Sequence, residues 1–512
     1  MKSLSKKSVL LIAAGIVAAA LTVTAIVFTL TPSKLSAIDK SSVGLQMFGW
    51  NWNSIASECT TTLGPEGVDW VLTLPPSDHI TGNQWWIHYQ PTSYELNSDA
   101  GTREEFAAMV KTCNAAGVHV VTDAVLNHMA GREGTSFSGN DFGFDLAFGD
   151  TYTSANFHRG LAETDPNYCA YDISNWDELW ERTNCQFPGL PDLATEQSYV
   201  REQIAKYLND QISLGVSGFR IDAAKHLAPA DIAAIKALLS NPDVFIVQEI
   251  PGGTDLANEY IANGNVWAWD NATYAQNLFS FSGNISQATG YDEVSADFPD
   301  TQKSLTWISN HDTEHHSSGS LTYLNGRYYE LANIWMLAER YGSPMLYTGY
   351  AFDEGDWQAP QSDNGVIRDA VCAPGDSIQT ASDDPAVGVY ETGSFVCLQR
   401  WNSIRGMIAW RSEVGDAEKT DVFGGDGAYG FGRSGKGYVL INSNYETYKA
   451  LNLSTGMKPG TYCDLISGGG KPLDTSNGGC LGKTVVVDAD GSISTELDGL
   501  SAIAISATSK SN

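Results

Sequence analysis

Apolar positions along most of this chain fall into two alternating patterns. Between residues 45 and about 350, short unbroken apolar runs alternate with stretches in which apolar residues return every three or four positions. One unit opens at Thr102, whose side chain can cap a helix while Glu105 reaches back to close a capping box. Phe106, Met109, Val110 and Cys113 then form one helical stripe, Gly117 ends the helix, and 118–121 reads as the next strand. Residues 199–214, Gly215 and 216–222 repeat the unit, as do 230–239, Asn241-Pro242 and 244–249. Repeated helix-to-strand units with short Gly or Pro breaks predict an α/β fold with a parallel sheet. The length predicts its closed form, a (β/α)8 TIM barrel.

Two segments depart from this pattern. From His128 to Asp192 the chain is rich in Gly, Asp, Asn and Ser and has little helical period, and a connection that long predicts an inserted subdomain. After about Ser412 short strands such as 437–441 and 484–487 alternate with turns such as Gly424-Gly425-Asp426-Gly427, which predicts a C-terminal antiparallel β-sandwich domain. The expected barrel is therefore 38–127 with 193–412, the insertion 128–192 and the all-β domain 413–512.

At the N-terminus Lys2, Lys6 and Lys7 precede an uncharged, largely apolar run from Ser8 to Leu30. This is the pattern of an export signal. Its length also suffices to span a bilayer, and Leu35-Ser36-Ala37 is a mediocre cleavage site, so residues 1–37 are expected to be a signal peptide or an N-terminal membrane anchor. In either case the rest lies outside the cytoplasm, secreted or extracellular. Acidic residues number 60 against 30 basic ones, and a net charge of -30 disfavours nucleic acid and other polyanions as partners. The 14 Trp and 22 Tyr suit sugar-stacking surfaces and a large aromatic core equally. Eight cysteines in an exported chain permit four disulfides whose pairing sequence alone does not fix. Local spacing favours Cys169–Cys185, Cys372–Cys397 and Cys463–Cys480, which leaves Cys59–Cys113.

Three apolar runs end in an acidic residue: 218–222 at Asp222, 245–249 at Glu249, and 307–312 at Asp312. Carboxylates placed where buried strands stop point into the cleft above the sheet, and three together can act as acid, base and nucleophile on an uncharged substrate. Asp123-Ala124-Val125-Leu126-Asn127-His128, Arg220-x-Asp222, Glu249 and Asn310-His311-Asp312 occur in the order of four sequence blocks of the α-amylase family of retaining glycoside hydrolases. The chain resembles that family over nearly its whole exported length. Gly189-Leu190-Pro191-Asp192-Leu193, Trp85-Trp86 with Tyr89-Gln90-Pro91, and Gly460-Thr461-Tyr462-Cys463-Asp464 make it most similar to the animal-type members.

The resemblance implies a secreted, endo-acting hydrolase of α-1,4-glucans such as starch, glycogen and maltooligosaccharides, acting as a monomer. It implies Asp222 as nucleophile, Glu249 as acid/base and Asp312 as the carboxylate that binds the sugar hydroxyls. Arg220, two residues before Asp222 on a strand, points the same way and can hold that carboxylate ionised. Glu249, partly out of water at the end of its apolar run, suits proton donation. Trp85, Trp86, Tyr89 and Gln90 are implied to form the sugar platform, His128 and His311 to bind the same sugar as Asp312, and Lys225 and His226 to contact the leaving-group side. A calcium ion is implied on the side chains of Asn127 and Asp192 and the backbone carbonyls of Thr183 and His226. Animal-type members commonly hold chloride between two basic groups and an Asn. Arg220 and Asn310 match two of these positions, but Met345 stands at the third, so chloride is expected to be weak or absent.

Transglycosylases share these carboxylates, and sequence blocks do not decide whether water or a sugar takes the glycosyl group. A non-catalytic ectodomain on one N-terminal helix is the other alternative, which the intact Asp222, Glu249 and Asp312 disfavour.

Overall fold

The computed structural model describes residues 42–316, 320–353, 355, 357–474, 476 and 478–511; the N-terminal apolar run expected to be a signal or anchor lies outside them. Among the described residues no helix is long and apolar enough to cross a membrane.

Eight parallel strands close into a barrel: β1 Gly44–Met47, β2 Trp70–Thr73, β3 His119–Ala124, β4 Gly218–Ile221, β5 Phe245–Gln248, β6 Asn265–Trp267, β7 Ser304–Thr306 and β8 Ser343–Thr348. They follow one another around the ring in chain order, and β8 pairs with β1. Trp70, Leu72, Val121, Val247, Trp267, Leu305, Trp307 and Met345 form one buried cluster contributed by strands from around the ring. The helix expected after Thr102 is present as Arg103–Ala115. Its capping box is closed, with Thr102 Oγ1 accepting from Glu105 N–H and the Glu105 carboxylate accepting from Thr102 N–H. Gly117 then turns the chain at φ 81°, a left-handed conformation that glycine adopts without a Cβ clash.

The insertion is closed at its neck. His128 and Asp192 form an antiparallel bridge, Met129 N–H donates to Pro191 O, and Leu193 N–H donates to Asn127 O. Inside it lie short helices, a small hairpin of Gly134–Thr135 with Asp141–Phe142, and the disulfide Cys169–Cys185. The other cysteines are joined as Cys59–Cys113, Cys372–Cys397 and Cys463–Cys480.

Helix Asn402–Val414 runs slightly past the expected boundary at 412, and the first strand of the all-β domain starts at Lys419. Two four-stranded antiparallel sheets follow. In the strand Gly437–Asn442 the two-residue alternation sends Tyr438 and Leu440 into the core shared with Val485, Val487 and Ile493, while Val439 and Ile441 join the main core. Trp410 of the helix donates its Nε1–H to Ile505 O. One face of this sheet therefore closes the sandwich and the other is buried against the barrel side.

Candidate active site

The sequence-expected acids gather where the barrel strands end. In the β3–β4 register Asp123 lies opposite Arg220, and in the β4–β5 register Arg220 lies opposite Val247. Arg220 is fully buried. Its Nη1 donates to Asp123 Oδ1 and Oδ2, 2.7 Å each, and to Asp222 Oδ1 at 2.9 Å, while Nη2 lies 3.0 Å from Glu249 Oε2. The guanidinium also covers the Trp267 ring, 4.6 Å from its centroid. Burial pushes the Asp222 carboxyl well above the usual carboxylate range; Arg220 opposes this, and the neighbouring Glu249 and Asp123 add to it. Burial likewise raises Asp312, and Asp123 to about 6 against the pull of Arg220. One guanidinium here faces three carboxylates, Asp123, Asp222 and Glu249, so their titrations are coupled.

Ala223 adds a backbone donor to this group. It adopts φ 47°, ψ 33°, an uncommon conformation for a residue with a Cβ, and its N–H donates to Glu249 Oε2 at 2.8 Å. Arg220 and Ala223 thus both face the same oxygen of Glu249.

His311 follows β7 and is buried, stacked between Phe48 at 4.9 Å and Tyr89 at 5.0 Å. Burial, reinforced by Arg220, holds its pKa well below the usual histidine range. With Gln46 Nε2 donating to His311 Nδ1 at 2.9 Å, the neutral ring carries its proton on Nε2, 3.6 Å from Asp312 Oδ2. Tyr89 donates its hydroxyl to Asp123 Oδ2 at 2.9 Å. His128 is neutral too, lowered to about 4 by burial; its Nε2–H bonds Tyr89 O at 3.0 Å, so its Nδ1 is the atom left for a ligand. Gln90 accepts from Gly131 N–H at 3.1 Å, which ties the platform to the insertion.

Of the tryptophan pair, Trp85 is 3% exposed and stacks on His315 behind His311. It offers a ligand an edge at most, so the half-buried Trp86 is the one with ring surface to share. Beyond Asp222, Lys225 and His226 lie in a short turn beside Trp176, whose ring is 5.7 Å from Lys225 Nζ and 5.7 Å from the His226 ring. Trp176 is 41% exposed.

Three residues here lay outside the sequence reading of the site. Asp123 is the main partner of Arg220 and of the Tyr89 hydroxyl; its signal was a carboxylate near the end of a strand adjacent to the Arg220 strand. Gln46 and Trp267 orient His311 and Arg220 from β1 and β6, and no local pattern marks either.

Glu314, two residues past Asp312, is part-buried and accepts the Tyr347 hydroxyl at 2.8 Å, and burial pushes its carboxyl up to about 8. The ordinary value is about 4.3, so the folded state binds this proton more tightly than the unfolded state. Stability therefore falls as pH rises from about 4 to 8. Glu314→Gln is expected to flatten that fall and to be the more stable form by about 1–3 kcal/mol at pH 7. Parallel stability curves for the two proteins between pH 5 and 8, measured by denaturant unfolding, would refute this account.

A closed eight-stranded barrel with carboxylates collected around a buried arginine at the strand ends is the architecture of a barrel glycoside hydrolase. Residues 83–244 match the family profile described as "Alpha amylase, catalytic domain", and residues 424–508 match "Alpha amylase, C-terminal all-beta domain". An α-amylase of Streptomyces violaceus is 36% identical over 85% of this chain and 71% of its own, and one of Tribolium castaneum is 33% identical over 89% and 91%. The fold is also similar to a solved structure of an α-amylase I variant of Eisenia fetida in complex with maltohexaose, with a TM-score of 0.79 and 28% identity over 91% of this chain and 97% of that one. The chain belongs to the α-amylase family, and it is a glycoside hydrolase.

Proposed function

We propose that this protein is a secreted, endo-acting α-amylase that hydrolyses internal α-1,4-glucosidic bonds of starch and glycogen with retention of anomeric configuration. The observation that carries the reading is the sharing of one buried guanidinium between Asp222 and Glu249, which makes the two carboxyls neighbours. Retaining hydrolysis needs such a pair about 5–5.5 Å apart. Asp222, in the ionised form that Arg220 favours against burial, attacks the anomeric carbon as Glu249 passes a proton to the departing glycosidic oxygen. The covalent glycosyl–Asp222 intermediate then yields to water, which gives its proton to Glu249 as the bond to Asp222 breaks. Asp312 and His311 Nε2–H are positioned to bind hydroxyls of the reacting sugar, and Trp86 to stack on a neighbouring one. Four disulfides support a place outside the cytoplasm, as does the similarity to α-amylases.

Reducing ends released from soluble starch, followed together with iodine colour and the initial anomer of the product, test the proposal. Fast loss of colour with α-configured products is the expected result. Slow loss of colour relative to reducing ends, or β-products, would overturn the endo or the retaining part respectively, and dominant transfer to added maltose would favour a transglycosylase.

The residues expected to hold calcium suit that ion. Asp192 is 2% exposed and lies against the Asn127 side chain, and His226 Nδ1 bonds Arg182 O at 3.0 Å, joining the Thr183 and His226 segments. Burial pushes Asp192 up to about 6, so a hard cation would relieve a buried carboxylate held so far by His158 at 2.6 Å. When bound there, calcium supplies a tie between the neck of the insertion and the turn after Asp222. Free calcium at 100 times Kd would add about 2.7 kcal/mol of stability. Chelation is accordingly expected to lower both Tm and activity, and Asp192→Asn to remove the calcium-dependent part of Tm; a Tm indifferent to chelation would refute the site. Chloride fits less well. Met345 is fully buried among Trp70, Val247, Trp267 and Trp307, where a thioether brings no charge, and Arg220 is already paired with three carboxylates.

A further inference from the structure

Outside the catalytic group, one long connection from β2 to helix Arg103–Ala115 folds three metal-binding side chains onto each other. His79 follows β2, His88 lies in the 3-10 turn Trp85–Tyr89, and Asp99 precedes the helix. All three are buried, at 0%, 1% and 0% exposure. Their donor atoms lie within 4.8 Å of one another. We propose that His79, His88 and Asp99 bind a divalent transition-metal ion, zinc by the chemistry of the donors.

The orientation of the rings carries the proposal. His79 Nδ1 bonds Ile80 O at 2.7 Å, and His88 Nδ1 bonds Trp85 O at 3.0 Å. Bonding Nδ1 to a backbone carbonyl aims each Nε2 inward at Asp99, and an ion that displaces the Nε2 proton takes that nitrogen as its ligand. Metal-binding histidines are held by this outer contact. Both Nε2 atoms then converge on Asp99 Oδ1, at 3.3 Å from His79 and 2.7 Å from His88. Bonds of about 2.0–2.1 Å in a tetrahedral site place ligand atoms roughly 3.3 Å apart. The His79 edge already has that length, and the His88 edge must open by about half an ångström to admit the ion. The weak 3.3 Å contact from Asp99 N–H to His79 Nε2 would be given up.

The rest of the surroundings fits as well. Gln358 and Gln361 donate their amide N–H groups to Asp99 Oδ2, which leaves Oδ1 facing the two rings. Gln358 Nε2 also stands 3.5 Å from His88 Nε2, while its Oε1 is buried without a partner. Two imidazoles with a carboxylate oxygen favour zinc over calcium, which takes oxygen alone. The ion would pin the 357–361 loop to the turn that carries Trp86 and Tyr89, and so stiffen the wall of the cleft.

The test uses the purified protein made in zinc-supplemented medium, exposed briefly to chelator, returned to calcium and assayed for metal by mass spectrometry. About one zinc ion per chain is expected, falling to none in His88→Gln. X-ray absorption on the wild-type zinc protein should show two imidazoles with oxygen ligands, and this decides the site even if the variant does not fold. Absence of stoichiometric zinc from the wild type would overturn the proposal and leave the trio as a hydrogen-bonded lock. Zinc retained by folded His88→Gln, or a ligand shell without two imidazoles, would overturn it too.

Discussion

Replacing Asp222 by Asn is expected to lower kcat on starch by about five orders of magnitude, as loss of a nucleophile does when the surrounding site is left to act alone. The amide is nearly isosteric but cannot ionise, so no bond forms to the anomeric carbon. The fold should survive the change, because Arg220 keeps Asp123 at 2.7 Å and Glu249 at 3.0 Å and loses one of several crowded carboxylates. An unfolding midpoint within a few degrees of the parent would confirm that the loss is chemical. A mechanism-based fluorosugar should label the parent on the peptide containing residues 218–226 and leave the variant unlabelled. Ordinary turnover by the variant, or a label on Asp123 or Asp312 in the parent, would remove Asp222 from the role.

Legibility from sequence tracked the length of each periodic signal. Helix Arg103–Ala115 was readable because a capping box, a four-residue stripe and a closing Gly all agree over a dozen positions. Strands β6 and β7 are three residues each, too short for any period to show, and only the requirement of ring closure calls for them. The acids proposed as catalytic were visible because each ends an apolar run. Their setting was not: Asp123, Gln46 and Trp267 meet Arg220 and His311 only through the ring of strands, a neighbour relation that no linear spacing encodes. The trio His79, His88 and Asp99 went unread for the same reason, since spacings of nine and eleven residues match no helical or strand period and the loop between them brings the rings together. Exposure was equally hidden. Trp85 and Trp86 are adjacent in sequence, yet the turn that carries them buries the first against His311 and His315 and leaves the second half open.

Glu249→Gln should fail in a different and diagnostic way. Its carbonyl oxygen can still accept from Ala223 N–H beside Arg220, so substrate binding is expected to persist, while the amide cannot donate a proton to the leaving oxygen. The predicted loss in kcat on starch is about 10^2–10^4-fold, the usual weight of a general acid. A maltosyl fluoride needs no such acid, so its first step should recover, and the covalent intermediate should accumulate because no base remains to activate water. Azide attacks without deprotonation. It should rescue turnover and give α-maltosyl azide, since it displaces Asp222 from the face the leaving group vacated. With a small residue in place of Asp222 the same azide enters from the opposite face and gives the β-azide. The two products separate the two roles. A β-azide from Glu249→Gln, or full activity on starch, would reassign Glu249, whereas the α-azide would fix it as the acid/base, held through Oε2 by Ala223 N–H beside Arg220.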